Sequence, residues 1–191
     1  MNNYPEIVEV NGRTYNINTS FKVALRCNEI SKDSSIDDLE RTLGIICTLF
    51  GPEAIKYTED IEILSEKAYK YLTLGEENNN RDKPDMDFIQ DYDFIVTSFI
   101  SDYGIDLDTT DMHWYKFYHL LNGLSNSENG DCCILNRVRN IRNMNLSEIK
   151  DSKLRNEMKQ VKERFALKSD EPKLTAEQEE SMEALNKLIG I

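Results

Sequence analysis

The sequence predicts a mainly α-helical domain that opens with a small N-terminal β-hairpin and closes with a C-terminal helical extension. Three observations lead there. Apolar residues recur at three- and four-residue intervals along most of the 191 residues, and only four prolines and eight glycines interrupt them. Strand-like alternation is confined to the first twenty residues. The length suits one domain with a real core.

The hairpin is expected over residues 6–18. Ile7-Val8-Glu9-Val10 and Arg13-Thr14-Tyr15-Asn16-Ile17 flank Asn11-Gly12, and an Asn-Gly pair suits a turn that needs positive φ at both positions. A lone hairpin is marginal in water, so this one must pack on helices. Thr19 is placed to cap a helix carrying Phe21, Leu25 and Ile30. Ser35, followed by Asp37 and Asp38 in the first turn, opens a second through Leu39, Leu43, Ile46 and Phe50. Gly51-Pro52 ends it and begins a third stretch, about 53 to 73, with a break near Tyr57–Asp60.

Residues 75–84 hold no apolar side chain and read as a loop. Phe88, Tyr92, Ile95, Phe99 and Tyr103 then make one helical face, with Asp85 and Asp87 as caps. Past Gly104 the chain is expected to be extended until Thr109 or Thr110 caps a helix whose stripe is Trp114, Phe117, Tyr118, Leu121 and Leu124. After a polar loop, Ser125 to Asp131, two more helices follow. One covers about 132 to 142; the other, about 147 to 167, carries Leu154, Met158, Val161 and Phe165 on one side. We place the domain at 1–167. Residues 168–191 read as a linker plus an amphipathic helix, Thr175 to Leu188, opened by the capping-box pair Thr175 and Gln178.

Charge narrows the function. A net charge of −12 opposes a surface built to grip nucleic acid, and a peripheral membrane protein would need a basic face. No run of about 18 apolar residues is present, and Met1 to Glu6 lacks the character of a signal peptide, so the cytoplasm is the expected location. The four cysteines have no C-x-x-C spacing and are expected to be reduced thiols. Charge is also bipolar. Eleven acids and two bases lie between Glu76 and Asp111, against ten bases and four acids between Ile134 and Lys168. Arg137, Arg139 and Arg142 are therefore expected to form a salt-bridged face against the acidic segment.

Chemistry-bearing patterns are sparse. His113 and His119 lie about 240° apart on a helix, which does not suit a shared metal. The acids from Asp102 to Asp111 lack the ligand spacing of a calcium loop, and the glycines are isolated rather than grouped around a phosphate. The expectation is a binding protein rather than an enzyme, with no catalytic residues, metal or cofactor. The candidate partner-binding residues are His113, Trp114, Tyr115, Phe117 and Tyr118. One helix cannot bury all four rings on one face. Trp114, Phe117 and Tyr118 can point inward, while Tyr115 points elsewhere, toward solvent or a partner.

These residues also carry a resemblance. The hairpin ends in Tyr15-Asn16-Ile17-Asn18-Thr19-Ser20-Phe21, and Asp87-Phe88 and Asp91-Tyr92 follow on an acidic aromatic helix. Then come Tyr103-Gly104-Ile105-Asp106-Leu107, His113-Trp114-Tyr115-Lys116-Phe117 and Leu120-Leu121-Asn122-Gly123-Leu124. Residues 4 to 167 resemble the bacteriophage gp-fifteen family of tailed phages and prophages. That family commonly has a second tryptophan where this chain has Tyr115. The resemblance implies a product of the tail-morphogenesis region. The typical role there is a tail assembly chaperone that coats the tape-measure protein in the host cytoplasm until tail tube protein replaces it. A structural component of the tail or its connector is the alternative. The bipolar charge favours head-to-tail association into a homo-oligomer.

Overall fold

Asn11 and Gly12 both take positive φ (49° and 77°), and the chain reverses tightly there. Strands β1 (Ile7–Val10) and β2 (Arg13–Asn16) pair antiparallel, with Val10 opposite Arg13 and Ile7 opposite Asn16. The computed structural model describes residues 4–75, 84–126 and 132–168; the linker and amphipathic helix expected beyond 168 lie outside them.

Seven α-helices follow among the described residues, so the domain is mainly α with one two-stranded hairpin. They are α1 (Phe21–Lys32), α2 (Asp38–Phe50), α3 (Ile61–Leu72), α4 (Tyr92–Tyr103), α5 (Trp114–Asn122), α6 (Ile134–Asn143) and α7 (Ser152–Phe165). Asp37 starts α2 with a reciprocal capping box to Glu40. The expected break around Tyr57–Asp60 is real: two short 3₁₀ turns, Pro52–Lys56 and Thr58–Asp60, precede α3. Gly104, at φ 66°, stops α4 in the left-handed conformation that glycine adopts without strain.

Five boundaries differ from expectation, each for a local reason. One is α7, which begins at Ser152 rather than near Ser147, because Leu146–Glu148 forms a separate 3₁₀ turn and the Asp151 carboxylate caps the helix. Ser20, not Thr19, caps α1. Asp37, not Ser35, caps α2, because only its carboxylate reaches the Glu40 amide. Residues 88–91 form a turn before α4, since the Asp87 carboxylate takes the amides of Ile89 and Gln90. Asp85 instead engages Arg139 and Asn143 across the fold. Finally, α5 begins at Trp114 rather than near Thr110. The backbone before it is held in a β-bridge: Phe21 N–H donates to Met112 O (2.9 Å) and Trp114 N–H to Thr19 O (2.7 Å).

That bridge joins the starts of α1 and α5, and the core forms behind it. Phe21 stacks on Phe117 (4.7 Å, 10°), and Phe117 stacks on Phe99 (5.2 Å, 13°). Short α5 is thus the axle of the domain, touching residues from both halves of the chain. Ile46, Leu49, Leu64, Ile95, Leu107 and Leu135 complete the buried layer. Two polar clusters brace it. Asp60, with no exposed surface, accepts hydrogen bonds from Asn11 (2.7 Å), Arg13 (2.8 Å) and Tyr15 (2.5 Å), tying the hairpin to the start of α3. Arg142 of α6 forks onto Asp91 with two bonds of 2.7 Å and also donates to Asp85 O and Phe165 O. The salt-bridged face expected of the arginine-rich stretch is therefore present for Arg139 and Arg142. Arg137 stays exposed and donates to the Cys132 carbonyl.

Candidate functional site

The five candidate residues lie at one end of α5, and the helix sorts them by angle. Trp114 and Phe117 turn inward with Leu121. Trp114 retains 3% exposure and Phe117 none, so their rings are floor rather than surface. Trp114 stacks on Phe117 (5.6 Å, 20°), takes the edge of Phe88 at 5.7 Å and donates its indole N–H to Leu72 O (3.2 Å). That bond satisfies the only polar atom of a buried ring and fixes α5 to the end of α3. A partner on this helix therefore meets neither Trp114 nor Phe117 directly.

The other three are half-exposed. Tyr118 lies tilted on Trp114 at 5.6 Å. His113 is the N-cap of α5: its Nδ1 accepts the Tyr115 amide (3.1 Å), while Nε2 sits 3.3 Å from Pro5 O. A neutral ring with its proton on Nε2 serves both contacts. The imidazole thus joins the helix start to the N-terminal segment, a positioning task. Tyr115 packs on Tyr71 (5.2 Å), and burial raises the hydroxyl pKa of both. The Tyr71 hydroxyl is buried and has no hydrogen-bond partner among the described residues.

A residue that the sequence pattern did not single out closes the group. Tyr4 lays its ring 4.8 Å from His113, 5.8 Å from Tyr115 and 6.1 Å from His119. Both histidines therefore contact one tyrosine ring. At the start of α5, where a partner was expected, the chain's own Tyr4 covers part of the outward side, while Lys116, His119 and Asn122 stay exposed. The result is an aromatic patch in which Tyr4, His113 and Tyr115 pack together over Tyr71, while Tyr118 lies apart from them on the buried Trp114. Such a patch offers flat, weakly polar surface of the kind that accepts apolar side chains from another helix. No spacing rule could have placed Tyr4 there, because the contact spans more than a hundred residues.

The family described as Bacteriophage Gp15 protein matches residues 1–167. The chain belongs to that family. The match takes in the hairpin, all seven helices and the aromatic patch, and it ends two residues beyond α7. Comparison with the curated proteins and with the solved structures returned no match. The Gp15 domain as seen here has no helix among its described residues long and apolar enough to cross a membrane. All four cysteines are free thiols, with Cys27 and Cys133 buried.

Proposed function

We propose that this Gp15-family protein is a tail assembly chaperone. It binds an amphipathic helical segment of the phage tape-measure protein in the host cytoplasm and catalyses no reaction. Membership of the phage family carries the reading, and the aromatic patch on α5 supplies a surface that suits it. A partner helix would lay apolar side chains on Tyr115 and Tyr118 and displace the Tyr4 ring. Tyr71 beneath Tyr115 and Trp114 beneath Tyr118 would stay in place. Hiding the apolar stripe of a long helical partner in this way would keep it from aggregating until tail tube protein takes its place.

Co-expression with the phage's own tape-measure protein tests this. The expected result is a co-purifying complex and more soluble tape-measure protein, with both reduced by the double substitution Tyr115→Ala, Tyr118→Ala. Failure to co-purify, with no gain in solubility, overturns it. Mature virions separate the structural alternative: a chaperone is absent from them, whereas a component of the tail or connector is present at fixed stoichiometry.

A further inference from the structure

The apolar residues of α4 do not end at its inward side. Ile95 and Phe99 are buried, but Tyr92, Val96, Ile100 and Tyr103 make a second stripe beside them at intervals of four, four and three. Ile100 is 49% exposed and the other three are half-exposed. The chain's own α7 lies on the other flank. It meets α4 through Phe165 on Phe94 (6.2 Å), and Phe94 stands about 200° around the helix from Val96. A helix with apolar side chains over so wide an arc is normally buried along all of it. Acids rim the open stripe. Asp93 is exposed on α4, and the Asp108 carboxylate accepts the Tyr92 hydroxyl (3.2 Å) while its amide donates to Asp106 (3.0 Å). Lys22 reaches the same rim, donating to the Asp108 carbonyl (3.0 Å), and leaves it net acidic.

Helix α7 has the opposite character. None of its fourteen residues is buried. Its last turns are held by the Phe165 ring, by Arg142 on Phe165 O (2.6 Å) and by Lys162 on Met144 O (2.7 Å). Its first half is open: Leu154 is 48% exposed, and half-exposed Met158 follows one turn on. Arg155, Lys159 and Lys162 run along one edge of that stripe. The whole helix holds five bases against two acids.

We propose that these two faces meet between copies of the chain, the first half of α7 from one copy lying on the outer stripe of α4 in another. Leu154 and Met158 would pack on Val96 and Ile100 between the two tyrosines, and the basic edge of α7 would face Asp93 and Asp108. Charge selects this pairing over a like one. Two α7 helices would set +3 against +3, whereas α4, with two acids and no base, brings −2.

Sedimentation velocity on the full-length chain tests this without any phage partner, so its outcome is independent of the proposed function. The mean mass should rise between about 1 µM and about 500 µM. Ile100→Asp and Leu154→Asp should each weaken that association about tenfold or more, because each puts a charge into the apolar contact. A 1:1 mixture of the two should regain it, since the mixture holds one intact face of each kind. A wild-type mass that stays constant over the range overturns the proposal, and would mean that each chain covers its own faces or leaves them open. So does association that survives in Ile100→Asp but not in Leu154→Asp, which would set α7 against α7. A mixture no better than its parts also overturns it. If either variant loses its folded state, the exposed charge reversals Asp93→Lys and Lys159→Glu decide by the same pattern, mixture included.

Discussion

Replacing Arg142 by methionine would leave the Asp91 carboxylate, 1% exposed, with only the Asp87 amide as a donor, and would free the carbonyls of Asp85 and Phe165. Replacing Asp91 by leucine would strand a guanidinium that is 10% exposed but keeps those two carbonyls. Breaking a buried pair by removing one partner costs about 3–5 kcal/mol. The arginine variant should fall near about 5 and the aspartate variant near about 3, because the stranded guanidinium keeps acceptors. Removing both charges together leaves an apolar contact of similar volume, a change that is often close to neutral. The freed carbonyls put the double variant at about 1–2 kcal/mol. The coupling between the two positions should then be about 6 kcal/mol. Urea unfolding followed by the fluorescence of Trp114, the one tryptophan and a buried one, reads each value. Single variants that each cost under about 1 kcal/mol, or a double variant equal to their sum, would refute the view that this pair clasps α6 and α7 to the acidic segment.

Four further outcomes follow from the same structure. Phe117→Ala empties the centre of the Phe21–Phe117–Phe99 stack and should cost about 3–5 kcal/mol in the same assay. The Tyr15 hydroxyl, with the Asn11 and Arg13 bonds, outweighs burial and holds the Asp60 carboxyl below its ordinary value. The stability it brings is complete above about pH 4 and is lost as pH falls through the lowered folded-state pKa. The destabilisation by Asp60→Asn should therefore be large at neutral pH and shrink in acid. Burial pushes the Cys27 thiol up to about 12, so at mildly alkaline pH it should resist Ellman's reagent until the domain unfolds, while half-buried Cys47 and Cys132 react sooner. Gly104→Ala places a side chain at φ 66° and should lower stability by about 1 kcal/mol.

What could be read from the chain was what its neighbours in sequence decide. Asn11-Gly12 needed only its own backbone preferences to mark the turn, and the periodic apolar residues of α4 and most of those of α5 marked their inward faces. In α2 Ile46 and Phe50 turn inward but Leu39 is 63% exposed, and in α5 Tyr118 is only half-buried. Boundaries moved where a distant segment competed. Residues 112–114 are extended because residues 19–21 bond to them, and no propensity near Thr110 reports that. Asp60 looked like a residue in a helix break; its burial depends on Asn11, Arg13 and Tyr15, 45 to 49 positions away. The arginine-rich stretch was legible because opposite net charges in two segments of one small domain have few other partners. In the aromatic group, helical angle separated Trp114 and Phe117 from Tyr115. That Tyr4 covers Tyr115 was invisible, since it needs the whole hairpin in place.

The central position of α5 has a consequence for synthesis. Phe21 meets Phe117 only after 96 more residues have been added. At ordinary bacterial translation speed that is about 5–20 s, during which α1 to α3 are already made and their inner aromatic faces have nothing to close on. The nascent chain therefore passes through a window in which it is itself sticky, and a substitution that delays α5 would show first as poor yield, before any change in the purified domain.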